Sequence, residues 1–161
     1  MERTSFEHMD CPIALGLEHV GEWWSILIVR DAMHGISRFD QFQKSLGIST
    51  NSLARRLNAL VDAGILERRQ YNQRPPRDEY VLTEAGRAFR PVLITLYEWG
   101  SQHFPPDAPN VRLVDSESGR NVEPLLVDRS TGRPLDEEHT RFEPGPSASR
   151  RLRELLTVRN A

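Results

Sequence analysis

The stretch from Ser49 to Ala63, STNSLARRLNALVDA, gathers side chains that can recognise another molecule through hydrogen bonds. At about 100° per residue, Leu53, Leu57, Leu60 and Val61 share one stripe. Asn51, Arg55, Asn58 and Asp62 fall opposite, with Ser52 and Ala59 beside them and Arg56 on the flank. An Asn amide presents a paired donor and acceptor that matches adenine, and an Arg fork presents two donors that match guanine in a major groove. A solvated helix face has the same composition, so the stretch alone leaves both readings open. Arg74 and Arg77 flank two prolines, where cations can meet phosphates or a minor groove. Chemistry of the bond-making kind has less support. Cys11 has His8 three residues upstream, but nothing supplies an oxyanion site, and no paired carboxylates or metal-ligand spacing stand out. An enzyme is therefore not expected, and neither is a cofactor or a metal.

The surrounding elements must hold those groups in place. Pro12 to Met33 reads as one helix, with Pro12 in its first turn and a broad apolar face that includes Ala14, Leu17, Val20, Trp24 and Ile28. Arg38 to Leu46 reads as a short helix, with Phe39, Phe42 and Leu46 at helical spacing. Gly47 permits a tight turn, Ser49 can cap the next helix, and Gly64 is placed to stop it in the left-handed conformation. Short helix, glycine turn and amphipathic helix make a helix-turn-helix. Leu66–Tyr71 and Glu79–Leu82 read as paired strands, with both Pro75 and Pro76 in the intervening loop. A hairpin in that position is a wing. Thr83 then caps a long helix that runs to Phe104, in which Pro91 predicts a kink or a restart.

Composition sets outer bounds. The chain has 161 residues, a net charge of −2 and one cysteine, which excludes an intramolecular disulfide framework. Charge distribution says more than the total. From Arg38 to Arg90, ten cations against six acids leave +4 in an otherwise acidic chain. That excess can serve phosphate contacts or simply solvate a face. No apolar run of membrane-spanning length and no signal pattern is present, so a cytoplasmic location is expected.

From Cys11 to His103 the chain resembles the HxlR-type winged-helix regulators of bacteria. The resemblance is carried by CPIALGLEHVGEWWSILIVRDAMHG, RFDQFQKSLGIS, LARRLNALVDAGILER, PPRDEYVLTEAGR and PVLITLYEWG, in that order and spacing. It implies a homodimer built on the first and last helices, where Leu17, Trp24, Val92, Leu96 and Trp99 lie. It implies that the second helix of the helix-turn-helix enters the major groove of double-stranded DNA and that the wing touches flanking DNA. Arg38 and Phe39 open the family's RF helix, Arg56 and Leu57 match its RL pair, and Pro76, Arg77, Glu79 and Tyr80 match its wing motif. Trp23 departs from the pattern, in which a polar or basic residue is commoner. Cys11 matches a cysteine that some members use to sense oxidants, so an oxidant or small-molecule effector is one reading and a small apolar residue under the dimer is the other.

Beyond Phe104 the composition changes. The pattern D-x-x-[ST]-G-R starts at Asp115 and again at Asp128, spacing Gly119 and Gly132 by 13 residues. Paired turns at that spacing resemble zinc-ribbon knuckles, but Asp115, Ser118, Asp128 and Thr131 stand where four thiolates would be needed. A ribbon-like hairpin pair without metal and a coincidence of turn-rich sequence both remain open. A short helix with Leu152, Leu155 and Leu156 on one side closes the chain.

The expectation is a mainly α fold with a small β wing (α+β). Residues 1–104 form a winged helix-turn-helix for DNA binding and dimerisation, and 105–161 a ribbon-like appendage. Candidate DNA-contacting residues are Arg38, Ser49, Thr50, Asn51, Ser52, Arg55, Arg56, Arg74 and Arg77. The expected function is sequence-specific transcription regulation by a homodimer on an inverted-repeat operator. The alternative is a winged-helix module for protein contacts, since a fold does not fix its use.

Overall fold

The computed structural model describes residues 6, 9, 11–105, 107 and 111–157. They form seven helices and one two-stranded sheet, and the chain divides into two compact units, Met1–Arg90 and Pro91–Ala161.

In the first unit, α1 (Pro12–Val20) and α2 (Trp23–Met33) replace the single expected helix. The break is steric. Gly21 closes α1 with its N–H donating to the Leu17 carbonyl, and a Cβ at Gly21 would collide with that same oxygen. Only glycine fits, and the chain turns within Gly21 and Glu22. The helix α3 (Phe39–Leu46) begins where the Gln41 side chain accepts the Arg38 N–H at 3.1 Å. Gly47 ends it at φ 63°, the left-handed conformation that a tight turn between helices demands. Ser49 caps α4 (Thr50–Asp62) by accepting the Ser52 N–H.

The apolar stripe of α4 seats as its periodicity predicts. Leu53, Leu57 and Leu60 are fully buried, joined by Ile28, Val29, Phe42 and Leu66. Side chains of this kind contribute roughly 1.5–3 kcal/mol each on burial, so this cluster is what holds α4 on α2 and α3.

The strands β1 (Leu66–Gln73) and β2 (Pro76–Leu82) pair antiparallel. They run longer than expected. Pro76 opens β2 opposite Gln73, so only Arg74 and Pro75 form the tip. A proline is tolerated there because the first residue of a strand need not donate to the ladder. The register shifts between Gln70 and Asn72, leaving Tyr71 as a bulge. A third rung braces the hairpin: the Tyr80 N–H donates to the Ser37 carbonyl at 2.7 Å, and the Ser37 hydroxyl donates to Glu79 at 3.1 Å. Thr83 caps α5 (Glu84–Ala88) and also donates to the Gly64 carbonyl at 2.6 Å, tying the wing's end to the end of α4.

The helix restarts at Arg90, beside Pro91, as α6 (Arg90–His103), which belongs to the second unit. The two compact units thus part at 90/91, while the sequence places the end of the winged helix-turn-helix at 104. The reason is local: the Tyr97 hydroxyl donates to the Val111 carbonyl at 3.1 Å, and the Trp99 ring meets Phe104 edge-on at 5.2 Å. No described residue of this unit is buried. Two turns repeat at 13-residue spacing. Asp115 N–H donates to Arg120 O and Val122 N–H to Leu113 O; Asp128 N–H donates to Arg133 O and Leu135 N–H to Leu126 O. The helix α7 (Arg150–Thr157) follows, with the Ser149 hydroxyl accepting the Leu152 N–H.

In both knuckles the aspartate is the hub. Asp115 accepts from the Ser118 N–H and hydroxyl at 2.7 Å each, and Asp128 from the Thr131 hydroxyl at 2.6 Å and from Ser130. These donors favour the ionised form. Thr131 first and Ser130 next bring Asp128 from 3.8 down to about 2, and Ser118 holds Asp115 below the usual carboxylate range. A third aspartate, Asp136, is lowered chiefly by the His139 ring. Because the folded value lies below the unfolded one, the stabilisation from Asp128 is complete above 3.8 and fades as pH falls through about 2. A carboxyl-carbon NMR titration is expected to place the Asp128 midpoint near 2; a midpoint at 3.8 would mean that the turn does not form in solution.

Candidate nucleic-acid interface

The outer surface of α4 carries the groups expected there, with one exception. Asn51, Arg55 and Asn58 are exposed, and among the described residues none of their side chains has a hydrogen-bond or ion-pair partner. The hydroxyls beside them are already engaged. Ser49 donates to Ser52 at 3.0 Å, and Thr50 accepts from the Gln43 amide at 2.9 Å, joining the start of α4 to α3. Ser49, Thr50 and Ser52 thus build the helix start, while Asn51 and Arg55 are left to face outward. No acid occupies the first turn of α4, so its N-terminal dipole is available to a phosphate.

Arg56, on the flank, is the exception. Its side chain is 14% exposed and pairs with Glu22 at 2.7 Å, so it faces the elbow after α1 and not the outer surface. Its position on the flank of the helix brought it inward beside Leu53 and Leu57. The carboxylate that holds it lies far away in sequence, which no local pattern reveals.

The cations of the wing divide into two sets. Arg68 is neutralised by Asp78 at 2.6 Å and Arg69 by Glu67. Arg74 at the tip and Arg77 beside it are exposed and have no such partner among the described residues. Arg38 is exposed as well, and its guanidinium lies over the Tyr71 ring, 4.5 Å from the centroid. A ring partner steadies the side chain without cancelling its charge, an interaction contributing about 0.5–1 kcal/mol at exposed sites. Tyr71 went unnoticed in the sequence because its role depends on the bulge that turns it toward Arg38. Arg38, Asn51, Arg55, Arg74 and Arg77 are the expected residues that present free or ring-held charge and amide groups.

The remaining candidates lie elsewhere. Leu17, Val92, Leu96 and Trp99 are exposed, and Trp24 is half-buried. Trp23, the departure from the family pattern, is 84% exposed. Cys11 is half-exposed at the cap position of α1, its side chain making no cap bond. No helix among the described residues is long and apolar enough to cross a membrane, and no metal-binding group of His, Cys, Asp and Glu occurs among them.

Comparison with known proteins agrees with this arrangement. The model of the HxlR-like helix-turn-helix family matches residues 19–108. The uncharacterised HTH-type transcriptional regulator Rv3095 of Mycobacterium tuberculosis is 36% identical over 141 residues, which cover 87% of this chain and 89% of the relative. The solved structure of PA1607, a candidate transcription factor, is 43% identical with a TM-score of 0.80, covering 88% of this chain and all of the other. The oxidised form of the redox regulator HypR is 34% identical with a TM-score of 0.53, over 61% of this chain and all of that one. These relatives are regulators and not enzymes. With its winged helix-turn-helix and more than half of its length matched, the chain belongs to the HxlR-like helix-turn-helix family of transcriptional regulators.

Proposed function

We propose that this regulator binds an inverted-repeat operator as a homodimer, reading bases with Asn51 and Arg55 and holding flanking phosphates with Arg38, Arg74 and Arg77. The observation that carries this reading is selective neutralisation. Acids quench Arg56, Arg68 and Arg69, while among the described residues no acid pairs with the cations on the outer face of α4 and at the wing tip. Dimerisation is supported by α6, which has no buried residue and exposes Val92, Leu96 and Trp99, and by the exposed Leu17 of α1. Residues 105–161 carry nine arginines against ten acids, a balance that gains nothing from phosphates.

Cys11 supports a thiol-responsive form of this function, in line with a redox regulator among the similar structures. The chain has no second cysteine, so a peroxide would join the Cys11 thiols of two copies as a disulfide, their two protons leaving with the peroxide oxygens as two waters.

Selection from a random duplex library tests the function. The expected product is two inverted half-sites about one helical turn apart, bound with a log–log salt slope of about −0.9 per phosphate contact. Release by peroxide is expected from the native chain and not from Cys11→Ser. Salt-independent or absent duplex binding would favour a protein-contact module.

A further inference from the structure

The inward turn of Arg56 ties the reading helix α4 to the elbow between α1 and α2 by charge, beside the apolar packing that already joins these helices. Between α1 and α2 the chain has only Gly21 and Glu22. Gly21 cannot carry a side chain there, because a Cβ would meet the Leu17 carbonyl. Glu22 occupies the cap position of α2, yet its carboxylate makes no cap bond. It reaches to α4 and holds the Arg56 guanidinium at 2.7 Å. Arg56 is largely buried and its Nε has no acceptor, so Glu22 is the charge that compensates it among the described residues.

Leu53, Leu57 and Leu60 fix how deeply α4 sits, but an apolar stripe is non-directional and tolerates roll and slide. A charge-assisted hydrogen bond to a rigid elbow does not. We infer that the Gly21–Glu22 elbow, clamped on Arg56, sets the angle between α1 and the reading helix α4 and thereby determines which half-site spacing the dimer accepts. This rests on the dimer proposed above, in which α1 contributes to the two-fold interface. Glu22 and Arg56 are then positioning residues. They touch no DNA, and they decide specificity at the level of spacing while Asn51 and Arg55 decide it at the level of bases.

The test uses the full-length chain and duplexes that carry the selected half-sites at separations varied one base pair at a time. Each added base pair moves a half-site by about 3.4 Å and about a tenth of a turn. The native chain is expected to prefer one separation by ~10-fold or more, and Glu22→Gln to bring that preference below ~2-fold, with base preference inside each half-site unchanged. Exchanging the charges, Glu22→Arg with Arg56→Glu, is expected to restore the single separation. Val61→Ala, a half-buried change elsewhere on α4, lowers the melting temperature and leaves the spacing alone. If Glu22→Gln does not fold, Glu22→Asp, with its shorter reach, takes its place. A folded Glu22 variant that keeps the sharp preference overturns the inference. A folded charge-exchanged chain that fails to regain the preference does so too, as does equal broadening by Val61→Ala. Selection of single half-sites by the native chain removes the dimer reading, and this inference with it; a native chain that selects paired half-sites keeps that reading whatever the variants show.

Discussion

Replacing Leu96 and Trp99 together with aspartate is expected to give a folded monomer whose affinity for a two-half-site duplex falls by ~100-fold or more. Leu96 is 43% and Trp99 52% exposed, and α6 buries no residue of its own, so the substitutions remove nothing from the core formed by Ile28, Phe42, Leu53 and Leu57. Their cost falls on association. Two carboxylates buried in an apolar interface lack partners and lose their hydration. A reader with a single head forfeits the second, effectively intramolecular contact, and the multiplier from two linked sites is of order 10²–10⁴. Sedimentation at micromolar concentration and titration of a fluorescent duplex measure the two effects separately. A stable dimer in the double variant would place the interface elsewhere. A monomer with undiminished affinity would mean that one head suffices.

Arg55→Ala is expected to lose about 1–3 kcal/mol on the preferred operator and to flatten the preference at one base position. Arg55 is exposed on the outer surface of α4 with no partner among the described residues, so its removal leaves no buried group there unsatisfied and the melting temperature should hold. Arg74→Ala, at the tip of the wing, should weaken every sequence alike and reduce the salt slope by about 0.9. A randomised site library read with both variants checks the contrast. Identical profiles would merge the two roles.

Local chemistry made much of this fold legible. The capping hydroxyl of Ser49, the left-handed Gly47 and the stripe Leu53–Leu57–Leu60 are each settled by a few neighbouring residues, and each appears in the structure as its type predicts. The restart beside Pro91 and the two knuckles belong with them. What remained hidden depends on groups distant in sequence. Apolar periodicity continues across Gly21 and Glu22, so it cannot show that a carbonyl closes on Gly21 and breaks the helix. The inward turn of Arg56 follows from a carboxylate on another helix, and the strand partnership of Ser37 and Arg38 with Glu79 exists only once the wing folds back. The candidate surface was accordingly readable as a set of residue types. Which of its cations remain free was not, because neutralisation is a property of the tertiary structure.

The knuckle turns of the second unit carry one more consequence. A thiolate knuckle depends on the supply of its metal and on the redox state of its sulfurs, and it opens when a chelator or an oxidant takes either away. Here Asp115 and Asp128 gather the backbone and hydroxyl donors of the same turns, using only atoms of the chain. Metal starvation and oxidant exposure therefore have no handle on these turns. In a chain with a single sulfhydryl group, oxidative chemistry of cysteine is confined to residue 11, which is not part of the unit that holds these turns.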